Sequence, residues 1–125
     1  MFRYVILIGL LSVSSFSHAE IDIIFYDSAA CDFHNRVCGN FRITHSRNDN
    51  IIEIRGRTSK PAGAGDLVFH FQGITPLNET IEHQIMINLK GRYNEIVSAK
   101  FKPPLSNETE WSLKTFVFEP EAKTQ

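Results

Sequence analysis

The fold class is decided by residues 81–89, which read Ile-Glu-His-Gln-Ile-Met-Ile-Asn-Leu. Isoleucine or leucine recurs at almost every second position, and polar residues occupy most of the positions between. Successive side chains of a β-strand point to opposite faces, so this period of two predicts a strand with one buried face. No window of helical length in the chain shows the spacing of three and four residues that an amphipathic helix needs. The stretch therefore favours an all-β protein.

Six further runs are predicted as strands on the same grounds: residues 21–26, 41–45, 51–55, 67–72, 93–101 and 111–118. The segments between them, such as 60–66 and 103–107, are rich in the turn formers Gly, Pro, Asn and Ser. About seven short strands without a helical crossover predict an antiparallel two-layer β-sandwich of immunoglobulin-like architecture. The Cys-Trp-Cys spacing of immunoglobulin domains is absent, so the prediction concerns architecture alone. A small closed β-barrel is the alternative.

The N-terminus has the features of an export signal. Arg3 supplies a positive charge, residues 4–11 are apolar except for one glycine, and Ser17-His18-Ala19 places small residues at the two positions that a signal peptidase reads. We predict that residues 1–19 are a cleaved signal peptide and that residues 20–125 form one β-sandwich domain. The protein would then be secreted or periplasmic, with no membrane span after cleavage, because no later apolar run approaches about 20 residues.

The amino-acid composition and the net charge limit the kinds of partner that the protein is expected to bind. The 125 residues include 13 basic and 14 acidic side chains, with a formal net charge of -1. Such a balance gives no electrostatic drive toward nucleic acid, and no nucleic-acid partner is expected. With 42% hydrophobic and 22% charged residues, the chain falls outside the collagen-like and intrinsically disordered classes.

Cys31 and Cys38 are the only cysteines, and both follow the predicted signal. In an oxidising compartment an isolated pair forms a disulfide, which is the predicted state. A second interpretation uses His34, because two thiolates and an imidazole on one loop are ligands that suit copper or zinc.

Two other histidines fall in phase with the apolar residues of their strands. His45 and His83 are therefore candidates for a buried or cavity-lining position, whereas His70 has the opposite phase. The alternative is that each ring caps the core and reaches water with its polar tip. A metal site formed by His34, His45 and His83 is the alternative function that these positions suggest.

No catalytic motif was found: the chain contains neither Gly-x-Ser-x-Gly nor His-Glu-x-x-His. We therefore expect no enzyme activity and no cofactor. The leading hypothesis is an exported, non-catalytic binding module that recognises a partner protein through loops or an edge strand. A metal-binding module and a small-molecule or lipid carrier are the alternatives. The candidate loop residues are Asp32, Phe33, His34, Asn35, Arg36, Lys60 and Asp66.

Asn78 and Asn107 each begin an Asn-Glu-Thr triplet in a predicted loop. The triplet fits the N-glycosylation acceptor pattern, so both asparagines are candidate acceptors if the source is eukaryotic.

Overall fold

The computed structural model describes residues 22–122 and consists of seven strands in two antiparallel sheets. The strands are β1 (Asp22–Cys31), β2 (Cys38–Ser46), β3 (Ile51–Lys60), β4 (Gly65–Ile74), β5 (Thr80–Leu89), β6 (Ile96–Phe101) and β7 (Glu110–Pro120). The first sheet has the order β1-β2-β3-β6, and the second has the order β5-β4-β7. The predicted signal peptide, residues 1–19, lies outside the described residues.

The predicted β-sandwich is confirmed, and the closed barrel is wrong: between residues 22 and 122 no backbone pairing joins the two sheets. The division into four and three strands is that of a constant-type immunoglobulin domain, but the connectivity differs. Here β2 and β3 form a hairpin within one sheet, whereas the second and third strands of an immunoglobulin domain lie in opposite sheets. No helix able to cross a membrane occurs among these residues.

Phenylalanine rings from both sheets form the centre of the core. The rings of Phe41 and Phe69 each lie 5.2 Å from the ring of Phe116, and all three residues are at most 4% exposed. Burying one such side chain stabilises the fold by about 1.5–3 kcal/mol. The ring of Phe41 lies against β3 at Gly56, where an added Cβ would come within 2.7 Å of it. Gly56 therefore allows the large ring to pack directly on the backbone of the same sheet.

The sixth strand is shorter than the sequence predicts. Tyr93 was expected inside a strand with Val97, but it lies in a turn and is 77% exposed. The carboxylate of Glu95 accepts hydrogen bonds from the backbone N–H groups of residues 90, 91 and 92, at 2.7, 3.0 and 3.2 Å. These bonds hold the chain in the turn, so pairing with β3 begins at Ile96.

The outer face of the second sheet carries a short apolar row. Val68 of β4 pairs with Met86 of β5 on one side and with Val117 of β7 on the other. Although its side chain lies on the outer face, Val68 is only 2% exposed, whereas Met86 at the end of the row is 61% exposed. The row therefore ends at an uncovered apolar side chain on an edge strand.

Candidate functional site

The predicted disulfide is present. Cys31 and Cys38 are bonded and face each other as the last residue of β1 and the first residue of β2, with their Cα atoms 3.9 Å apart. A disulfide is typical of proteins from oxidising compartments. Bonded cysteines offer no thiolate to a metal, and within residues 22–122 no group of three or more His, Cys, Asp or Glu side chains is placed to hold one.

Asp32 organises the loop that the disulfide closes. It is 3% exposed, and its carboxylate accepts the backbone N–H groups of Arg36, Phe118, Val37 and His34 at 2.6, 2.8, 3.0 and 3.3 Å. Burial raises the pKa of this carboxyl, but the four hydrogen bonds to the charged form outweigh burial and lower the pKa below its ordinary value. Asp32 was predicted as a binding residue of the loop. Its carboxylate instead accepts hydrogen bonds from the protein backbone.

The disulfide loop lies along the edge of β7. The N–H of Phe33 donates to the carbonyl of Phe116 at 2.8 Å, and the Asp32 carboxylate accepts the N–H of Phe118 two residues further. Four of the candidate loop residues remain exposed around this contact: Phe33, His34, Asn35 and Arg36. The loop therefore satisfies backbone groups that an edge strand would otherwise present to solvent.

The other two loop candidates are also engaged. The ammonium group of Lys60 donates to the carbonyl of Asn35 at 3.0 Å, which brings these two predicted residues together. Asp66 lies at the start of β4, where its carboxylate accepts a hydrogen bond from the side chain of Asn88 at 3.1 Å.

The three histidines of the metal alternative are not assembled into one site. His34 follows β1 in the disulfide loop, whereas His45 lies at the far end of β2, where it is 2% exposed. His83 stacks on Phe101 at a centroid distance of 5.4 Å, and the ring of Trp111 lies 6.4 Å away. The predicted inward or cavity-lining position of His45 is confirmed.

Three of the four edge strands are shortened, bulged or covered. The pairing of β1 shifts at a bulge beside Phe25, and β6 has only six residues. β7 has a bulge at Lys114 and is covered by the disulfide loop. β5, by contrast, pairs with β4 through ten consecutive residues without a register shift, and among residues 22–122 no strand pairs with its other side. Strand β6 of the first sheet approaches β5 without backbone pairing, and the ring of Phe101 lies 5.4 Å from that of His83. β5 is therefore the open edge of the sandwich.

A cavity of about 250 Å³ lies at the end of the sandwich opposite the disulfide. Its walls come from the start of β1, the end of β2, the turn after β2 and the start of β7: Ile23, Phe25, His45, Arg47, Thr109, Glu110 and Trp111. Three of these residues each have a buried polar atom without a hydrogen-bond partner in the protein, namely Arg47 Nε, Thr109 Oγ1 and Trp111 Nε1. Buried polar groups are nearly always paired, so three unpaired atoms among the residues of one cavity wall are unusual.

Loop contacts fix the shape of this cavity. The side-chain amide of Asn107 donates to the carbonyl of Arg47 at 2.9 Å, and that of Asn50 donates to the carbonyl of Leu105 at 3.2 Å. This second bond turns the Asn50 oxygen toward His45, whose Nε2–H donates to it at 2.9 Å. The loop before β7 is thereby attached to the turn between β2 and β3.

Gly73 of β4 allows the cavity wall to pack closely. A Cβ at this position would lie 2.9 Å from both the methyl group of Thr109 and the six-membered ring of Trp111. Because the methyl group of Thr109 lies against Gly73, its hydroxyl points in another direction. A residue without a side chain is therefore required at position 73.

The two glycosylation candidates differ in their surroundings. Asn78 lies in the exposed turn between β4 and β5 with a φ of 68°. The side-chain nitrogen of Asn107, to which a glycan would be attached, donates to Arg47 instead.

The cavity was missed by sequence reasoning except for His45. Arg47, Thr109 and Trp111 belong to two segments about sixty residues apart, and no local motif connects them. No known protein family matches the chain, and neither the curated proteins nor the solved structures include a significantly similar chain.

Proposed function

We propose that this protein is an exported, non-catalytic binding module that takes up an extended segment of a partner protein alongside β5. The observation that carries the proposal is the open edge: ten residues pair regularly with β4 without a bulge, and within residues 22–122 no strand or loop is hydrogen-bonded to the backbone of their other side. Alternate N–H and C=O groups of an edge strand point away from the sheet, where an added strand can pair with them. Such pairing supplies affinity without requiring a particular sequence.

The side chains of β5 provide a source of specificity. Met86 is 61% exposed and ends the apolar row that continues through Val68 and Val117 on the outer face. A partner strand with an apolar residue opposite Met86 would extend this row by one strand. The neighbouring outer-face residues Gln84 and Asn88 are polar, so an alternating partner sequence fits this edge best.

Export is supported by two observations of different kinds. The N-terminal sequence has the charge, the apolar run and the small residues of a cleavable signal, and Cys31 is bonded to Cys38. Fractionation of cells that express the full chain tests this part of the proposal: the protein recovered outside the cytoplasm should begin at Glu20. Recovery in the cytoplasm with Met1 retained contradicts it.

The binding role is tested with peptides selected from a displayed random-peptide library on the purified protein. We expect the selected peptides to alternate apolar and polar residues and to slow hydrogen exchange at alternate backbone amides of β5. The variant Met86→Lys places a charge on the open edge and should abolish peptide binding. The matched control is Ser112→Lys, an exposed outer-face position on β7, which should bind the same peptides normally.

The two variants separate the possible outcomes. If Met86→Lys binds the peptides as well as the unmodified protein does, the β5 edge is not the binding surface. Protection confined to amides of residues 32–37 would instead assign recognition to the disulfide loop. Either result contradicts the proposal.

A further inference from the structure

We propose that the β5 edge pairs with the β5 edge of a second copy of this chain, in a two-fold symmetric dimer whose axis passes beside Met86. The inference rests on the proposed function of the edge and names its partner. Two three-stranded sheets, each of order β5-β4-β7, would join through β5 into one sheet of six strands. A two-fold interface uses the same surface of both subunits, so the edge must be complementary to itself.

The apolar core is less well covered along β5 than along β7. The side chains of Ile81, Ile85 and Ile87 pack against the core, but each stays partly exposed. On β7, by contrast, Phe116 and Phe118 are at most 4% exposed. A second β5 strand would cover the isoleucine side chains with an identical apolar row, and removing this surface from water favours association.

Pairing about Met86 matches the side chains on the outer face of the edge. In an antiparallel pair centred on this residue, Met86 lies opposite its own copy, Gln84 lies opposite Asn88, and Glu82 lies opposite Lys90. The apolar row on the outer face of one subunit would then continue through both Met86 side chains into the row of the other subunit. The polar residues on either side of it would meet polar residues.

The charges at the two ends of β5 favour the same register. Glu82 near the start of the strand and Lys90 just after its end are both exposed. Lys90 takes part in no ion pair found among residues 22–122, whereas Glu82 lies 3.3 Å from the ammonium group of Lys114 in the same sheet. The dimer would form the contact between Glu82 and Lys90 twice, once on each side of the axis. A shift of the axis by one residue along the strand removes both contacts.

Sedimentation of the purified protein over a wide range of concentrations measures the association. We expect a reversible change from one chain to two as the concentration rises, with slower hydrogen exchange at β5 in the dimer. Met86→Lys brings two ammonium groups together at the axis and should weaken the dimer by about tenfold or more. Urea unfolding, at a concentration where both proteins are monomeric, verifies that the variant is folded.

Charge reversal tests the register. Glu82→Lys and Lys90→Glu should each weaken self-association by about tenfold or more, because each brings like charges together on both sides of the axis. A mixture of the two variants should recover the dimer, since every contact in the mixed pair again joins opposite charges. Glu119→Lys makes the same change at an exposed position on β7 and is the control, with unchanged association. A mixture that associates no better than either variant alone overturns the proposal.

The dimer and the proposed function can fail separately. Peptides selected for the β5 edge should compete with self-association, because both need the same backbone groups. If the protein stays monomeric at every concentration while such peptides slow exchange at β5, the edge binds a different protein and the dimer is overturned. A dimer that Met86→Lys leaves intact, or whose protected amides lie outside β5, also overturns it. A monomer without peptide binding at β5 contradicts both proposals.

Discussion

The two edges of the second sheet are built differently, although β5 and β7 have almost the same length, ten and eleven residues. The edge of β7 has a bulge and is covered by the disulfide loop, whose Asp32 and Phe33 take up backbone groups of residues 118 and 116. In the part of the chain that the structure describes, the edge of β5 has neither a bulge nor a hydrogen-bonded loop. Natural sheets usually protect their edge strands against pairing with other chains. In a sheet whose β7 edge is covered, the uncovered β5 edge is therefore the place where pairing with another chain is possible.

This difference indicates a structural role for the disulfide loop in place of the predicted binding role. A loop closed by a disulfide suggests a rigid binding surface, because a rigid loop loses little entropy on binding. In the folded protein the rigid loop covers the edge of the second sheet, because the Asp32 carboxylate accepts a hydrogen bond from the N–H of Phe118 in β7. We therefore expect changes at the β7 edge to affect stability and changes at the β5 edge to affect binding.

The largest effect is expected from Asp32→Ala. The substitution leaves the buried N–H groups of Val37 and Phe118 without an acceptor, and it should lower the free energy of unfolding by about 3–4 kcal/mol. Urea unfolding followed by tryptophan fluorescence measures the change. The control is Asp27→Ala, which removes an exposed carboxylate paired with Arg42 and should cost less than about 1 kcal/mol. Equal losses in the two variants would mean that Asp32 does not hold the loop on β7.

The next largest effect is expected from removing the disulfide with Cys31→Ser and Cys38→Ser together. Closing so short a loop restricts the unfolded chain, and its loss should cost about 2–2.5 kcal/mol in the chain-entropy model. Unfolding should stay cooperative, because the Asp32 hydrogen bonds still hold the loop. An unchanged urea midpoint would show that the two thiols are not bonded in the native protein.

Acid should destabilise the covered edge through Asp32. Its carboxyl is buried, but the backbone hydrogen bonds outweigh burial and place its pKa below the ordinary value in the folded protein. The unfolded chain therefore binds the proton more readily, and the stabilising contribution, complete above the unfolded pKa, is lost as the pH falls through the folded pKa. The expected slope is at most about 1.4 kcal/mol per pH unit for this one proton.

Asp32→Asn separates this contribution from that of the other acids. The asparagine variant should be less stable at neutral pH and should lose less stability than the unmodified protein between pH 4 and more acidic conditions. Glu95 has a lowered pKa for the same reason, with three backbone donors, and retains its own contribution in this variant. Parallel curves for the two proteins would contradict the assignment to Asp32.

The strands and the disulfide could be predicted because their signals are local. A period of two over residues 81–89 is a property of one strand, and Cys31 and Cys38 are neighbours in sequence. Tyr93 shows where local reasoning stops: its alternation with Val97 fits a strand, but the carboxylate of Glu95 binds three preceding N–H groups and forms a turn. A side chain that accepts hydrogen bonds from the backbone can form a turn without changing the alternation of apolar and polar residues, so the alternation does not reveal the turn.

The candidate sites could not be predicted because they depend on pairing between distant segments. Asp32 and Phe118 are 86 residues apart, so no local pattern indicates that their hydrogen bond covers an edge. The order of strands decides which edge stays open, and alternation carries no information on that order. The cavity likewise needs Arg47 beside Thr109 and Trp111, which only the folded sandwich brings together.

The smallest effect on stability is expected at the open edge, from Met86→Lys. Met86 is 61% exposed and lies opposite Val68 in the sheet, so the lysine stem can replace most of its contacts and the free energy of unfolding should change by less than about 0.5 kcal/mol. Ser112→Lys on β7 is the matched control and should be equally neutral. Urea unfolding of both variants beside the unmodified protein makes the measurement. If Met86→Lys alone lowers the free energy of unfolding by more than about 1 kcal/mol, Met86 belongs to the packed structure. The β5 edge would then contribute to stability as the β7 edge does, which contradicts the comparison.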